Sequence, residues 1–235
     1  MRKIEDIDFK IVESKIWNQK MYYLYSSELR SIDPVAYNRI FEPMSSFIYT
    51  GIVLTLKKDD IVLDIGANIG YYSMLSSWMN PDVIVHSFEP HPKVFEVLEK
   101  NSRLRSNIFP HNCGIGESNK SSFLYCDNKN VGGHSFKING FGKSFNNGIF
   151  DESSMYKINC DIKSIDQFNI DLNNVKLIKI DVQDMEVEVL RSIIALNING
   201  IIMVENTDGV KYFLDNNKFQ CIGTEDNNIF AKRIE

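Results

Sequence analysis

The stretch IVLDIGANIGYYS, residues 61–73, decides the fold. A short aliphatic run carrying Asp64 leads into a turn bracketed by Gly66 and Gly70, and an apolar run at helical spacing follows. The pattern reads as strand, bare turn and helix, and glycine in such a turn lets the backbone approach a ligand closely.

Downstream the alternation continues with strand VIVHSFE (83–89), helix PKVFEVLEKNSRL (92–104) and strand NIFPHNC (107–113). It resumes after residue 160 with helix SIDQF, strand VKLIKIDV (175–182), helix MEVEVLRSIIAL (185–196), strand GIIMVE (200–205) and helix GVKYFLDNN (209–217). Alternating strands and helices imply right-handed βαβ units on a parallel sheet. The closing FQCIGTEDNNIFAKRI (219–234) reads as a hairpin turning on EDNN. Residues 1–57 read as a mostly helical N-terminal cap, and 58–235 as the α/β domain. Residues 117–160 interrupt that domain: SSFLYC (121–126) and MYKINCDI (155–162) read as strands flanking a Gly/Asn-rich interval too long for an idle connection.

Composition narrows the function. With 43% apolar residues the chain can bury a sizeable core. A net charge of −5 without basic clusters argues against nucleic acid and anionic membranes as partners. Cys113, Cys126, Cys160 and Cys221 lie far apart and suggest neither a zinc site nor a disulfide framework. The charged N-terminus lacks an apolar leader, and no long apolar run appears, so a soluble cytoplasmic protein without membrane insertion is expected.

A dinucleotide turn needs G-x-G-x-x-G, but the three positions here are Gly66, Asn68 and Tyr71. A carboxylate at Asp64 would repel a diphosphate and suit a cationic amino-acid end. Glu89 closes the next strand 25 residues on, where a carboxylate accepts both hydroxyls of a ribose. A nucleoside without phosphates fits, and S-adenosylmethionine is such a nucleoside. The bland alternative is a tight turn at Gly66 and Gly70 with Glu89 as helix cap.

The segments VLDIGANIGYYS, SFEPHPKVFEVLEKN, SIDQF and LIKIDVQDMEVEVLRS, in order over about residues 38–206, resemble the FkbM family of S-adenosylmethionine-dependent methyltransferases. The resemblance implies a Rossmann-like class I methyltransferase fold, a seven-stranded, mostly parallel sheet with an antiparallel last strand. It implies O-methylation of a hydroxyl on a carbohydrate or related polyhydroxy metabolite. It assigns the donor site to Asp64, Gly66, Asn68, Gly70 and Glu89, with Asn112 and Asp181 at the neighbouring strand ends. One departure stands out: where the family reads D-V-E-G-x-E, this chain has Asp181, Val182, Gln183, Asp184, Met185 and Glu186.

O-methyl transfer needs a proton acceptor beside the donor. His134, after two glycines on the insert, is the first candidate, and Glu186 the fallback. Their bland readings are a solvated loop histidine and helix N-terminal charge compensation. His86 and His91 read as structural, and His111 as a neighbour of adenine. No metal is expected, although Asp181, Glu205 and Asn206 offer three oxygens for Mg²⁺. KINGFGKS (137–144) misses a P-loop by its first glycine. The insert and the cap are expected to wall an acceptor pocket, with Gly132, Gly133, Gly140 and Gly142 permitting closure. Apolar residues in 33–56 serve equally as a homodimer face. Competing functions are a catalytically silent donor-binding module and a nicotinamide-dependent reductase on the same sheet.

Overall fold

The computed structural model describes residues 9–16, 18–25, 40–127, 130–137 and 155–234. In chain order its elements are β1 (Lys10–Ile16), β2 (Gln19–Tyr25), α1 (Pro43–Val53), β3 (Ile61–Ile65), α2 (Tyr71–Met79), β4 (Ile84–Phe88), α3 (Pro92–Ser102) and β5 (Ile108–His111). There follow β6 (Gly114–Ile115), β7 (Lys120–Asp127), β8 (Asn130–Ser135), β9 (Met155–Lys163), β10 (Val175–Ile180), α4 (Glu186–Ala195), β11 (Ile201–Glu205), α5 (Val210–Asn216), β12 (Phe219–Glu225) and β13 (Asn228–Arg233). SIDQF forms a single 3₁₀ turn, Ile165–Gln167, instead of a helix.

Among the described residues the main sheet has seven strands in the order β12-β13-β11-β10-β3-β4-β5. Strands β11, β10, β3, β4 and β5 run parallel, and β13 is antiparallel to β11. The chain reverses direction of travel across the sheet between β3 and β10, the crevice where open α/β sheets bind ligands. β3 is buried along its whole length, as a central parallel strand covered on both faces must be. Its period-2 alternation sends Ile61, Leu63 and Ile65 into one core layer and Val62 into the other.

Two parts of the molecule differ from the sequence expectation. The cap is not mostly helical in its described part: β1 and β2 form an antiparallel hairpin, and α1 is its one described helix. KIVESKI (10–16) and QKMYYLY (19–25) are rich in β-branched and aromatic residues, a strand signal that outweighs the helical expectation for this part of residues 1–57. The exposed edge of β2 is satisfied by Asn101 of α3, whose Oδ1 accepts from Tyr22 N (2.7 Å) and whose Nδ2 donates to Tyr22 O (2.9 Å). The second difference lies inside the insert, where SSFLYC and MYKINCDI form the expected strands as β7 and β9. The insert builds a small sheet, β6-β9-β7-β8, and the glycine-rich stretch supplies the strand β8. The near-P-loop beyond Lys137, with Gly140 and Gly142, lies outside the described residues.

The closing hairpin turns on Asp226 and Asn227, both at positive φ (48° and 68°), the backbone a two-residue hairpin turn demands. Its tip fastens the cap. Glu42 at the start of α1 makes no side-chain cap, and Asp226 Oδ2 instead accepts from Met44 N (2.7 Å) and Ser45 N (2.9 Å). Helix N-termini leave such N–H groups unpaired, and capping carboxylates are worth about 1 kcal/mol. Asp226→Ala should therefore cost about 1–2 kcal/mol in urea unfolding and speed amide exchange in α1. Wild-type exchange in α1 would refute this tether.

Candidate active site

The turn after β3 is shaped by its glycines. Gly66 has φ +75°, and a Cβ there would stand 1.8 Å from the Asp181 carbonyl oxygen. Gly70 has φ +92°, and its Cβ would meet Leu98 Cδ1 at 2.7 Å. Gly66 N and Ala67 N both donate to Phe88 O, at 3.0 and 2.9 Å, which draws the turn onto the end of β4. Asn68 sits at φ 52° and presents its main-chain N–H to Glu89.

Asp64 is placed differently from the expected direct contact with a ligand. It is fully buried and does not line the cleft, because its position on β3 turns it toward α2. There Ser73 Oγ donates to its Oδ2 and also lies 2.7 Å from Ser87 Oγ. Burial raises its pKa above the usual carboxylate range. Lys179 Nζ is 3.7 Å from Asp64 Oδ1, 3.4 Å from Asp181 Oδ2, and donates to Gly66 O at 2.9 Å. Burial opposes the charge of Lys179, and the carboxylates of Asp181 and Asp64 more than offset this, so its pKa is raised. Asp64 thus acts through Lys179 and the Gly66 carbonyl, as the foundation of the turn. Lys179 is a residue the sequence reading missed. Its signal was a lysine within LIKI, a strand otherwise apolar and destined for the sheet centre.

Glu89 lines the cleft with Gly66, Asn68 and Asp181. Its Oε2 accepts from Asn68 N (3.0 Å) and its Oε1 from His91 N (2.8 Å), which leaves each oxygen a further lone pair. Burial pushes its pKa up to about 7 despite those two bonds. Asn112 does not line the cleft. Its Nδ2 donates to the carbonyls of Glu89 (2.8 Å) and Pro90 (3.2 Å), and so holds the segment that carries the carboxylate. His111 stacks on Phe88 (4.7 Å) and shares a hydrogen bond with His86 (3.0 Å).

The insert closes the cleft from the other side. His134 and Phe136 line it, and Phe136 packs against Gly114, where a Cβ would approach its Cε2 to 2.8 Å. The His134 ring donates to the Asp127 carbonyl, and its buried Nε2 has no partner, so the hydrogen sits on Nδ1 and Nε2 keeps a free lone pair. Burial lowers its pKa to about 4, leaving it neutral at physiological pH. At the end of β8, Ser135 Oγ donates to Gln183 O (2.6 Å), and just beyond it Lys137 Nζ donates to Asp184 O (2.8 Å). Gln183 and Asp184 both have positive φ (53° and 71°), so the corner keeps a left-handed backbone where glycine is usual, with its carbonyls tied to the insert. Among the described residues none from 1–57 lines this cleft, so the cap forms no wall of it there.

Glu186 is not presented to the cleft. Its Oε1 accepts from Val182 N (2.9 Å) and its Oε2 from Thr207 Oγ1 (2.6 Å), which ties the start of α4 to the end of β11. Oxygens of Asp181, Glu186 and Glu205 lie within 4.8 Å of one another, a grouping that shares Asp181 and Glu205 with the set the sequence offers for Mg²⁺. Gln183 Nε2 bridges Asp181 Oδ1 (2.8 Å) and Glu205 Oε2 (3.0 Å). Burial, followed by the charges of Asp181 and Glu186, raises the pKa of Glu205.

Comparison with known proteins bears on the family and the fold. The family model described as Methyltransferase FkbM domain matches residues 64–221. Methyltransferase 1 of Beauveria bassiana (strain ARSEF 2860) is 27% identical over 153 residues, covering 57% of this chain and 59% of that protein. The 31-O-demethyl-FK506 methyltransferase FkbM of Streptomyces tacrolimicus is 43% identical over 47 residues, 20% of this chain and 18% of its own length. The matches thus span less than two thirds of these relatives. Among solved structures, a candidate caffeoyl-CoA O-methyltransferase from Staphylococcus aureus superposes with a TM-score of 0.50 at 11% identity, covering 83% of this chain and 85% of that one, a likeness of fold. No helix among the described residues is long and apolar enough to cross a membrane.

Proposed function

Since the chain belongs to the FkbM methyltransferase family, we propose that it binds S-adenosylmethionine and methylates a hydroxyl oxygen on a carbohydrate or related polyhydroxy metabolite. One observation carries the reading: a single cleft holds an open carboxylate, Glu89, a bare glycine turn, and a histidine with a free lone pair, His134. The residues fit the donor. Glu89 has lone pairs for two ribose hydroxyls, the Gly66–Gly70 turn admits a ligand against its backbone, and Asp181 offers a carboxylate to an ammonium group. When bound, the donor supplies an electrophilic methyl group. His134 Nε2 takes the acceptor's hydroxyl proton as the oxygen becomes the nucleophile. Phe136 and the apolar side of the insert sheet keep water from the cleft. Glu186, with both oxygens engaged, orders the corner and leaves the proton to His134.

The direct test is calorimetry with S-adenosylhomocysteine and NADH, followed by transfer of labelled methyl to a panel of sugars and polyols. Binding of NADH in place of S-adenosylhomocysteine would sink the reading in favour of a reductase. Donor binding with no transfer to any hydroxyl would favour a silent binding module.

The raised pKa of Glu89 gives a pH signature. Its charged form accepts both ribose hydroxyls, so donor affinity should rise with pH through about 7 and level off above it. Glu89→Gln should bind about 10- to 100-fold more weakly, the loss of a charge-assisted pair of hydrogen bonds, with that pH dependence flattened. Equal wild-type and variant affinities at acidic and alkaline pH would remove Glu89 from the donor site. Turnover should also survive EDTA, given the Gln183 amide that already bridges Asp181 and Glu205. Loss of activity with EDTA, restored by Mg²⁺, would recast the Asp181, Glu186 and Glu205 group as ligands.

A further inference from the structure

We infer that His91 is a positioning residue, whose ring forms the platform for His134 and whose main chain holds Glu89, so that one residue sets the proton acceptor relative to the donor carboxylate. The inference rests on the reading of His134 given above, and deepens it.

His91 is fully buried and clamped at each end. Its main-chain N–H donates to Glu89 Oε1 at 2.8 Å. Its Nδ1 accepts from Val94 N at 3.3 Å, capping α3, and its Nε2 lies 2.7 Å from Tyr156 OH on β9. A ring nitrogen that accepts leaves the hydrogen on the other, so Nε2–H donates to the Tyr156 oxygen. With its edges spent, the ring has only a face to offer. His134 lies on that face, centroids 4.5 Å apart and planes at 25°.

β8 needs such a support. It is the edge of the small sheet, and its pairing with β7 is broken by a register shift between Tyr125 and Asp127. The sheet alone does not dictate where the ring at 134 sits. The stack on His91 does, and it also keeps that ring dry. The titratable groups around His134 are His91 beneath it, Cys126 on β7, Tyr156 behind His91, and Glu89 and Asp181 across the cleft. Burial lowers its pKa, and the bond to the Asp127 carbonyl opposes this without overcoming it.

The same residues bring nitrogen and sulfur atoms of His91, Cys126 and His134 within 4.8 Å of one another. They make a poor metal cradle. Rings so nearly parallel point their lone pairs side by side, and the His91 Nε2 already carries hydrogen.

Two substitutions separate ring from cap. His91→Asn keeps a capping side chain without the ring, and His91→Phe keeps a ring without the cap. Histidine imidazole signals are followed by NMR against pH in the full chain, with S-adenosylhomocysteine affinity measured alongside. In the wild type and in His91→Phe, His134 should titrate near 4 as the Nδ1–H tautomer. In His91→Asn it should move toward the ordinary histidine value of about 6.5. S-adenosylhomocysteine affinity should stay within about threefold in both variants, because the main-chain bond to Glu89 survives. An unchanged His134 titration in His91→Asn overturns the inference, as does a shift in zinc-treated wild type showing both rings as ligands. Should His91→Asn fail to fold, His91→Phe decides alone: a His134 that titrates near 6.5 there refutes the platform. The titration is independent of turnover, so a His134→Ala enzyme with full activity would refute the proton-acceptor role without touching this result.

Discussion

Replacing His134 with alanine should lower kcat by about 10²–10⁴-fold, the usual loss on removing a general base. S-adenosylhomocysteine affinity should stay nearly unchanged, because the proposed donor contacts are those of Glu89, Asp181 and the glycine turn, which His134 does not supply. The expectation follows from the tautomer. The Asp127 carbonyl takes the Nδ1 hydrogen, and Nε2 is left as a buried lone pair in the cleft. The measurement is single-turnover methyl transfer to whichever acceptor the labelled-methyl panel identifies, with circular dichroism to show that the variant is folded. Full kcat in the variant would exclude His134 from the mechanism. A parallel fall in kcat and donor affinity would mean that the ring shapes the cleft instead of moving a proton.

Gly66→Ala should be the most damaging single change to the fold near the site, costing more than about 3 kcal/mol and abolishing donor binding. A left-handed φ of +75° already disfavours alanine, and its Cβ would lie 1.8 Å from the Asp181 carbonyl oxygen, which is main chain on the neighbouring strand. Relief would require the ends of β3 and β10 to part. That would break the Asp181 N to Ile65 O bond (3.1 Å) and withdraw the Gly66 carbonyl from Lys179. Gly51→Ala is the contrasting control. Gly51 lies in α1 with open space around its missing Cβ, so alanine should stabilise by about 0.5–1 kcal/mol. Urea unfolding of both variants tests the pair, and a Gly66→Ala protein with wild-type stability would refute the account of the turn.

Much of this was legible in the order of residues. Aliphatic runs such as IVLDI and LIKI read as buried strands, the glycine turn as the opening of a helix and EDNN as a hairpin tip, and the structure has each of them so. Those are local constraints, set by backbone sterics and hydrophobic period within a dozen residues. Glu89 at a strand end and His134 beside two glycines stood out for the same reason. The failures were non-local. Asp64 sits at the right place in the chain, but the alternation of β3 turns it to α2, and its partner Lys179 arrives 115 residues later. Glu186 became a tie between two elements because Thr207 lies across from it, 21 residues away. Asp226 caps a helix 181 residues upstream, and nothing in either segment announces the other.

The chain order by itself determined the layered α/β architecture and the position of the crevice. Tertiary structure alone decided which carboxylates face that crevice and which are buried beneath it. It alone placed the His134 ring over His91 and left its Nε2 free. The reason is physical: local pattern sets the path of the backbone, whereas burial, hydrogen-bond partners and tautomers depend on side chains that meet only when distant segments pack.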